Sequence, residues 1–186
     1  MIDRARASVA VRTLQAGDRE AVRDILMRTE FFTGVEVSTA LELIDEWLAL
    51  GEPSEYLCYV ATDPATAAVL GYVCFGPVPL TDSTYDLYWI AVDPRTQGRG
   101  VGRALLNWTE AEVARRRGRL ILIETSSQDK YHSTVVFYER CGYELLARLV
   151  DFYRSGDDKL MFGKYLAPAS RQRGETRREE SGGVGL

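Results

Sequence analysis

The chain of 186 residues has a single histidine, His132, and three cysteines, Cys58, Cys74 and Cys141, with no Cys-x-x-Cys pair and no Cys/His cluster. A zinc site needs three or four such ligands, and a Ser/His/Asp triad needs a histidine with ordered partners, so metal hydrolysis and serine hydrolysis fall away. The thiols read as small buried hydrophobes of a reducing cytoplasm. Long apolar runs are missing too. Stretches such as Ala67–Phe75 fall far short of the ~20 residues that cross a bilayer. Met1–Ala10 carries Asp3, Arg4 and Arg6 where a secretory signal needs an apolar core. These absences predict a cytoplasmic protein with no membrane partner and no metal.

Positive charge is absent where negative charge is dense. From Thr29 to Pro94 there is no Lys or Arg, while eleven carboxylates occur between Glu30 and Asp93. Arg95, Arg99, Arg103, Arg115, Arg116, Arg117 and Arg119 then crowd the next 25 residues of a chain whose net charge is −4. A nucleic-acid protein is basic over its whole binding face, so that partner is not expected. The acidic third predicts either a negative side that favours cationic partners or a surface that serves solubility.

What is present is an ordinary globular composition, 46% hydrophobic and 27% charged, with a length near that of one domain. Ser8–Leu14 alternates as a strand, and Gly17-Asp18 opens a helix with Ala21, Val22, Ile25 and Leu26 on one face. Ser38 is the candidate cap of a second helix, whose Leu41, Ile44, Trp47 and Leu48 form a stripe ending at Gly51-Glu52-Pro53. Strands follow over Tyr56–Ala61, Ala68–Phe75 and Thr84–Val92, then a helix over Gly100–Arg117 and a strand over Leu120–Glu124. A short helix over Ser133–Arg140 precedes two strands, Tyr143–Phe152 and Lys159–Tyr165, around the turn Ser155-Gly156-Asp157. This order predicts a single mixed α/β (α+β) sheet with helices on both faces, occupying residues 1–166. Residues 167–186, rich in Arg, Glu, Gly and Ser, read as a disordered tail.

The informative stretch is Ile90-Ala91-Val92-Asp93-Pro94-Arg95-Thr96-Gln97-Gly98-Arg99-Gly100-Val101-Gly102-Arg103. A strand that runs into a glycine-rich turn and straight into a helix presents unobstructed backbone N–H groups at a positive helix end, which is a geometry for phosphate. Glycine is needed where anion oxygens approach the backbone more closely than a Cβ allows, and Arg95, Arg99 and Arg103 are placed to add charge. A P-loop would need Gly-Lys-Ser/Thr. A dinucleotide fold would carry its glycines after the first strand, with an acidic residue about 20 positions on. Neither fits, and a diphosphate ligand of another kind is expected.

These residues resemble the GCN5-related N-acetyltransferase (GNAT) family, whose (Gln/Arg)-x-x-Gly-x-(Gly/Ala) signature matches Gln97 to Gly102. Downstream, Phe137-Tyr138-Glu139-Arg140-Cys141-Gly142-Tyr143 is similar to the family's Tyr-Glu-x-x-Gly-Phe segment. The likeness covers roughly Ser8 to Leu166. Seven residues before Tyr138, where the family often carries an Asn that contacts the pantetheine arm, stands Tyr131, a departure at a position counted with the cofactor site. More loosely, TYDLYWIAVDP, IETSS and DFYRSGDDK are similar to a bacterial subgroup associated with D-alanine-type ATP-grasp ligases.

The resemblance implies the acyl-CoA N-acyltransferase fold and direct acetyl transfer from acetyl-CoA to a primary amine in a ternary complex. Under it, backbone groups of Ile90, Ala91 and Val92 hold the pantetheine and act as oxyanion donors, and Gln97, Gly98, Arg99, Gly100, Val101, Gly102 and Arg103 hold the diphosphate. Tyr138 is the candidate general acid, with packing on the last strands as its plain alternative. Asp86 matches the strand position where many members carry a Glu base, Glu124 is the alternative, and a water relay is a third route. Tyr72, Tyr85, Tyr88 and Trp89 fall near the presumed acceptor cleft or in the core, and His132 receives no role. The acceptor is a small-molecule or peptide amine, cationic ones included, and the protein a monomer or homodimer. A longer acyl-CoA, or a catalytically silent acyl-CoA sensor, are the competing readings.

Overall fold

The computed structural model describes residues 9–166, so Ser8 of the expected first strand and the expected tail at 167–186 lie outside the described residues. The elements are β1 (Ala10–Thr13), α1 (Arg19–Arg28), α2 (Gly34–Leu50), β2 (Leu57–Thr62), β3 (Val69–Pro77), β4 (Thr84–Val92), α3 (Val101–Arg115), β5 (Leu120–Ser126), α4 (His132–Arg140), β6 (Glu144–Arg154) and β7 (Asp157–Tyr165). The strands form one seven-stranded sheet in the order β1-β2-β3-β4-β5-β7-β6. β4 and β5 run parallel, joined by α3 as crossover, while the other neighbours pair antiparallel.

β2 is buried along its whole length and β3 almost so, as expected of central strands covered on both faces. On one face Trp108 of α3 packs on Tyr59 at 5.8 Å, and Gly71 of β3 admits α3 so closely that a Cβ there would meet Leu105 and Val101 at 3.1 Å. On the other face the Trp47 indole of α2 donates to the Leu14 carbonyl at 3.2 Å. Ile25, Leu26, Ile44, Leu105, Leu106 and Phe162 are fully buried between these layers. The expected sheet with helices on both faces is therefore present.

α2 starts a turn earlier than Ser38. Thr33 accepts the Glu36 N–H at 3.3 Å, and the Glu36 carboxylate reaches back to the Thr33 N–H at 2.7 Å. That reciprocal capping box satisfies two orphan donors at once, leaving Ser38 inside the helix. The acidic third is also less one-sided in space than in sequence. Asp45 pairs with Arg19 (2.6 Å), Glu52 with Arg116 (2.8 Å), Asp63 with Arg99 (3.4 Å) and Asp93 with Arg28 (2.9 Å).

The feature that positions a site is a split in the sheet. β4 and β5 pair from Thr84↔Leu120 to Leu87↔Ile123 and then part, β5 continuing against β7 as far as Ser126↔Lys159. At the same level β4 carries one extra residue against β3, because Cys74 faces Trp89 while Phe75 faces Leu87. A bulge of this kind bends a strand and increases its twist. The far halves of β4 and β5 thus become the walls of an open wedge.

Candidate active site

The wedge holds a cleft of about 780 Å³, with Trp89, Ile90, Ala91 and Val92 along one wall and Glu124 and Thr125 on the other. Thr29, Phe31 and Phe32, from the α1–α2 connection, line it as well. The glycine loop and the start of α3 contribute Gln97, Gly98, Gly100, Val101, Gly102 and Arg103, and α4 with the turn before it contributes Tyr131, Thr134, Tyr138 and Arg140. Of the residues singled out in the sequence, Tyr72, Tyr85, Asp86, Tyr88, Arg95, Arg99 and His132 do not line the cleft. Arg99 turns outward toward Asp63, and Arg95 is held by Asp93 at 2.6 Å, so of the three expected arginines Arg103 alone faces the cleft.

The loop is preorganised as an anion cradle. Gly98 and Gly100 have φ of 77° and 83°, and a Cβ on either would point into open space. Left-handed backbone costs a non-glycine residue roughly 1–2 kcal/mol, which explains glycine at both positions. α3 has no side-chain cap. Among the described residues, the N–H groups of Gly98, Gly100, Val101, Gly102 and Arg103 donate to no backbone acceptor. Five orphan donors at the positive end of a 15-residue helix, beside Arg103 and Arg140, fit the diphosphate of a coenzyme A.

Behind the loop, buried Asp93 accepts from the Arg95 backbone N–H (3.0 Å), the Arg95 guanidinium and Arg28. The Arg95 hydrogen bond above all, with Arg28 in support, holds the Asp93 carboxyl well below the ordinary range despite burial. This clamp ties the end of α1 to the start of the loop, which the sequence reading missed.

Strand alternation sorts the donors of β4. Asp93 N–H points to Leu70 O on β3 at 2.8 Å, so Ala91 N–H also points to β3, whereas those of Ile90 and Val92 point to the side that β5 has left. Ile90 and Val92 are the two wall donors free for a ligand, and Ala91 is not. Tyr138 is 4% exposed, packs with tilted rings among Phe137, Tyr143 and Phe162, and still reaches the cleft. Burial pushes its phenol well above the ordinary value, so it keeps its proton at neutral pH.

At the other end Asp86 and Glu124 share a face, because Asp86 pairs with Leu122, two residues before Glu124. Burial first, then the charge of Glu124, raises the Asp86 carboxyl, and Lys159 opposes the rise. Lys159 reaches across from β7 to Glu124 at 2.5 Å. Tyr88 stands beside Asp86 and is pushed up to about 12, mainly by burial. Phe32 meets Trp89 edge-on at 5.2 Å, and Phe31 meets Tyr131 at 5.9 Å. Tyr72 and Tyr85 belong to the core. Sequence reading missed Lys159, Phe31, Phe32 and Arg140, since contacts between β5, β7 and the α1–α2 connection leave no local spacing pattern. Among the described residues no helix is long and apolar enough to cross a membrane, and no group of three His, Cys, Asp or Glu side chains could hold a metal.

Comparison with known proteins agrees with this architecture. Residues 54–145 match the family described as acetyltransferase (GNAT) domain. A GNAT-family protein from Desulfovibrio desulfuricans of known crystal structure is 43% identical and superposes with a TM-score of 0.82 over 86% of this chain and all of its own. The S-(2-succino)cysteine N-acetyltransferase of Bacillus subtilis is 30% identical over 98 residues, which are 52% of this chain and 59% of that protein's length. The yncA protein of Salmonella typhimurium, solved with acetyl-CoA, shares the fold at 20% identity, with a TM-score of 0.67 over 87% of this chain and 95% of its own.

Proposed function

The chain belongs to the GNAT family of acetyltransferases, and on that premise we propose that it moves an acetyl group from acetyl-CoA to the primary amine of a small-molecule or peptide acceptor. The observation that carries the reading is the wedge between β4 and β5, which gathers an uncapped helix N-terminus, two free strand donors, a protonated phenol and a carboxylate into one cleft.

Acetyl-CoA, when bound, supplies a thioester activated toward amines. The orphan N–H groups of Gly98 to Arg103 bind its diphosphate, with Arg103 and Arg140 adding charge. Ile90 and Val92 offer N–H groups fixed by the sheet to the pantetheine and to the thioester oxygen, where negative charge develops. Tyr138 holds the proton for the departing sulfur. Its raised pKa makes it a poor source of phenolate and a stable acid.

Deprotonation of the amine falls to Asp86, whose carboxyl burial raises above the ordinary Asp range, with Glu124 on the cleft wall and a water between them as the route outward. Lys159 keeps this pair of carboxylates from repelling the ionised state. A thiol-release assay with acetyl-CoA and an amine panel tests the reading. The panel includes S-(2-succino)cysteine, the acceptor named for the Bacillus relative, together with polyamines and peptides with free N-termini. Amine-dependent release of CoA, with a product heavier by one acetyl group in mass spectrometry, is expected. Tight binding of acetyl-CoA without release for any amine would favour the sensor, and release from longer acyl-CoA alone would favour a different donor.

A further inference from the structure

The α1–α2 connection brings two neighbouring aromatic rings to the cleft. Phe32 meets Trp89 of β4 edge-on, and Phe31 meets Tyr131 of the turn before α4, so two successive residues reach from the strand to the helix side. The connection is pinned where it does so. The Thr29 hydroxyl donates to the Leu26 carbonyl at 2.7 Å, and the Lys130 ammonium donates to the Phe31 carbonyl at 3.3 Å. Just beyond, the Glu36 carboxylate accepts both the N–H and the hydroxyl of Thr33, at 2.7 and 2.8 Å. All four rings line the cleft and all four are only half-buried, so each keeps surface for a ligand.

Charge at this end is used up inside the protein. Among the residues that line the cleft the cations are Arg103 and Arg140, both at the coenzyme end, and the carboxylate is Glu124. Glu124 is neutralised by Lys159 at 2.5 Å, and the Lys159 ammonium also lies over Phe152 of β6, a strand exposed along its whole length. Lys130, outside the lining, sits over the Tyr131 ring at 4.7 Å. A carboxylate on the acceptor would enter a partly desolvated site with no cation to meet it, and a second ammonium would meet a carboxylate already paired. What the site offers instead is ring surface, which holds flat apolar groups by burial and by edge-to-face or offset packing.

Resting on the acetyl-transfer reading above, we propose that the acceptor is a primary amine that carries an aromatic ring and no carboxylate, with Phe32 and Trp89 as the side chains that select it. The ring of the acceptor packs against these two, and its amine is left to face Glu124 on the opposite wall. This separates the chain from its Bacillus relative, whose named acceptor bears the carboxylates of both a succinyl group and an amino acid.

Matched amines in the thiol-release assay, at saturating acetyl-CoA, test the parts of this claim: phenethylamine, propylamine, phenylalaninamide, phenylalanine, putrescine and S-(2-succino)cysteine. Phenethylamine and phenylalaninamide are expected as the best acceptors. Propylamine, which lacks the ring, should fall about 10- to 100-fold in kcat/KM, the worth of burying one aromatic group. Phenylalanine, which adds only a carboxylate to the phenethylamine frame, should fall at least as far. Phe32→Ala should lower the ratio of phenethylamine to propylamine by about tenfold, and Phe32→Leu, which keeps apolar volume without a ring, by less. Propylamine, putrescine or either anionic acceptor matching phenethylamine overturns the proposal, as does an unmoved ratio in a folded Phe32→Ala. Release of CoA with one of those acceptors leaves the transferase reading standing, whereas release with no amine removes that reading and this inference together.

Discussion

At the α3 end of the cleft the contacts available to a ligand are five backbone N–H groups, that of Gly98 and those of Gly100 to Arg103, on a rigid turn. At the other end they are side chains, Glu124 from β5, Trp89 from β4 and Phe32 from the α1–α2 connection, with Lys159 of β7 paired to Glu124 and Asp86 of β4 outside the lining. The first end is suited to an invariant anion, because backbone donors cannot be changed without changing the turn. The second is suited to a variable acceptor, because each side chain can be exchanged on an unchanged frame. Binding of the coenzyme and choice of the amine should therefore be separable by mutation.

The largest effect is expected where the two ends meet. Tyr138→Phe removes one hydroxyl and keeps the ring that packs on Phe162. A positioned acid contributes about 10²- to 10⁴-fold, so kcat should fall by that factor with acetyl-CoA affinity unchanged. Because burial raises the phenol, wild-type kcat should show no high-pH limb from this group below pH ~10. Wild-type kcat in the variant would assign the proton to solvent.

At the acceptor end, Asp86→Asn should lower kcat/KM for the amine by about 10²-fold. The base must be ionised, so activity rises with pH through its pKa, and that limb lies above the ordinary Asp range. Lys159→Met removes the cation that opposes the rise and should shift the limb to higher pH. If Asp86→Asn keeps the limb and Glu124→Gln loses it, Glu124 is the base.

Behind the coenzyme end, Asp93→Asn should cost about 2 kcal/mol of stability at neutral pH, the size of hydrogen bonds to charged partners. Its folded pKa is depressed, so this stability is full above the unfolded Asp value and is lost as pH falls through the folded one. Melting curves of wild type and variant should accordingly converge in acid. Equal midpoints at pH 7 would mean the clamp is not structural.

The smallest effect concerns charge. With four of the eleven carboxylates of residues 29–94 paired to arginines, kcat/KM for a cationic amine should change by less than about twofold between 0.05 and 0.5 M salt. A tenfold fall would show that the acidic stretch steers its substrate after all.

The same contrast explains what could be read from sequence. Thr84–Val92 is found at its observed bounds because Asp93-Pro94 ends it, and the cradle is legible because its donors all fall between Gly98 and Arg103. The start of α2 is misread because Ser38 is as good a cap residue as Thr33, and what decides between them is the Glu36 side chain reaching back. Arg99 looks like a phosphate ligand until the β2–β3 turn brings Asp63 to it from 36 positions away. Lys159 carries no local signal at all. The exposed face of β6 was visible in principle, since ELLARLVDFYR places apolar residues on both parities.

The separation of the two ends is tested most directly by calorimetric titration of acetyl-CoA into the wild type, Gly100→Val and Glu124→Gln. Valine at a position with φ of 83° strains the turn and puts its side chain into the space left for the anion. The account predicts one-to-one binding by the wild type, undiminished binding by folded Glu124→Gln, and at least a 100-fold weaker complex with folded Gly100→Val. Wild-type affinity in Gly100→Val, or an equal loss in Glu124→Gln, would contradict it.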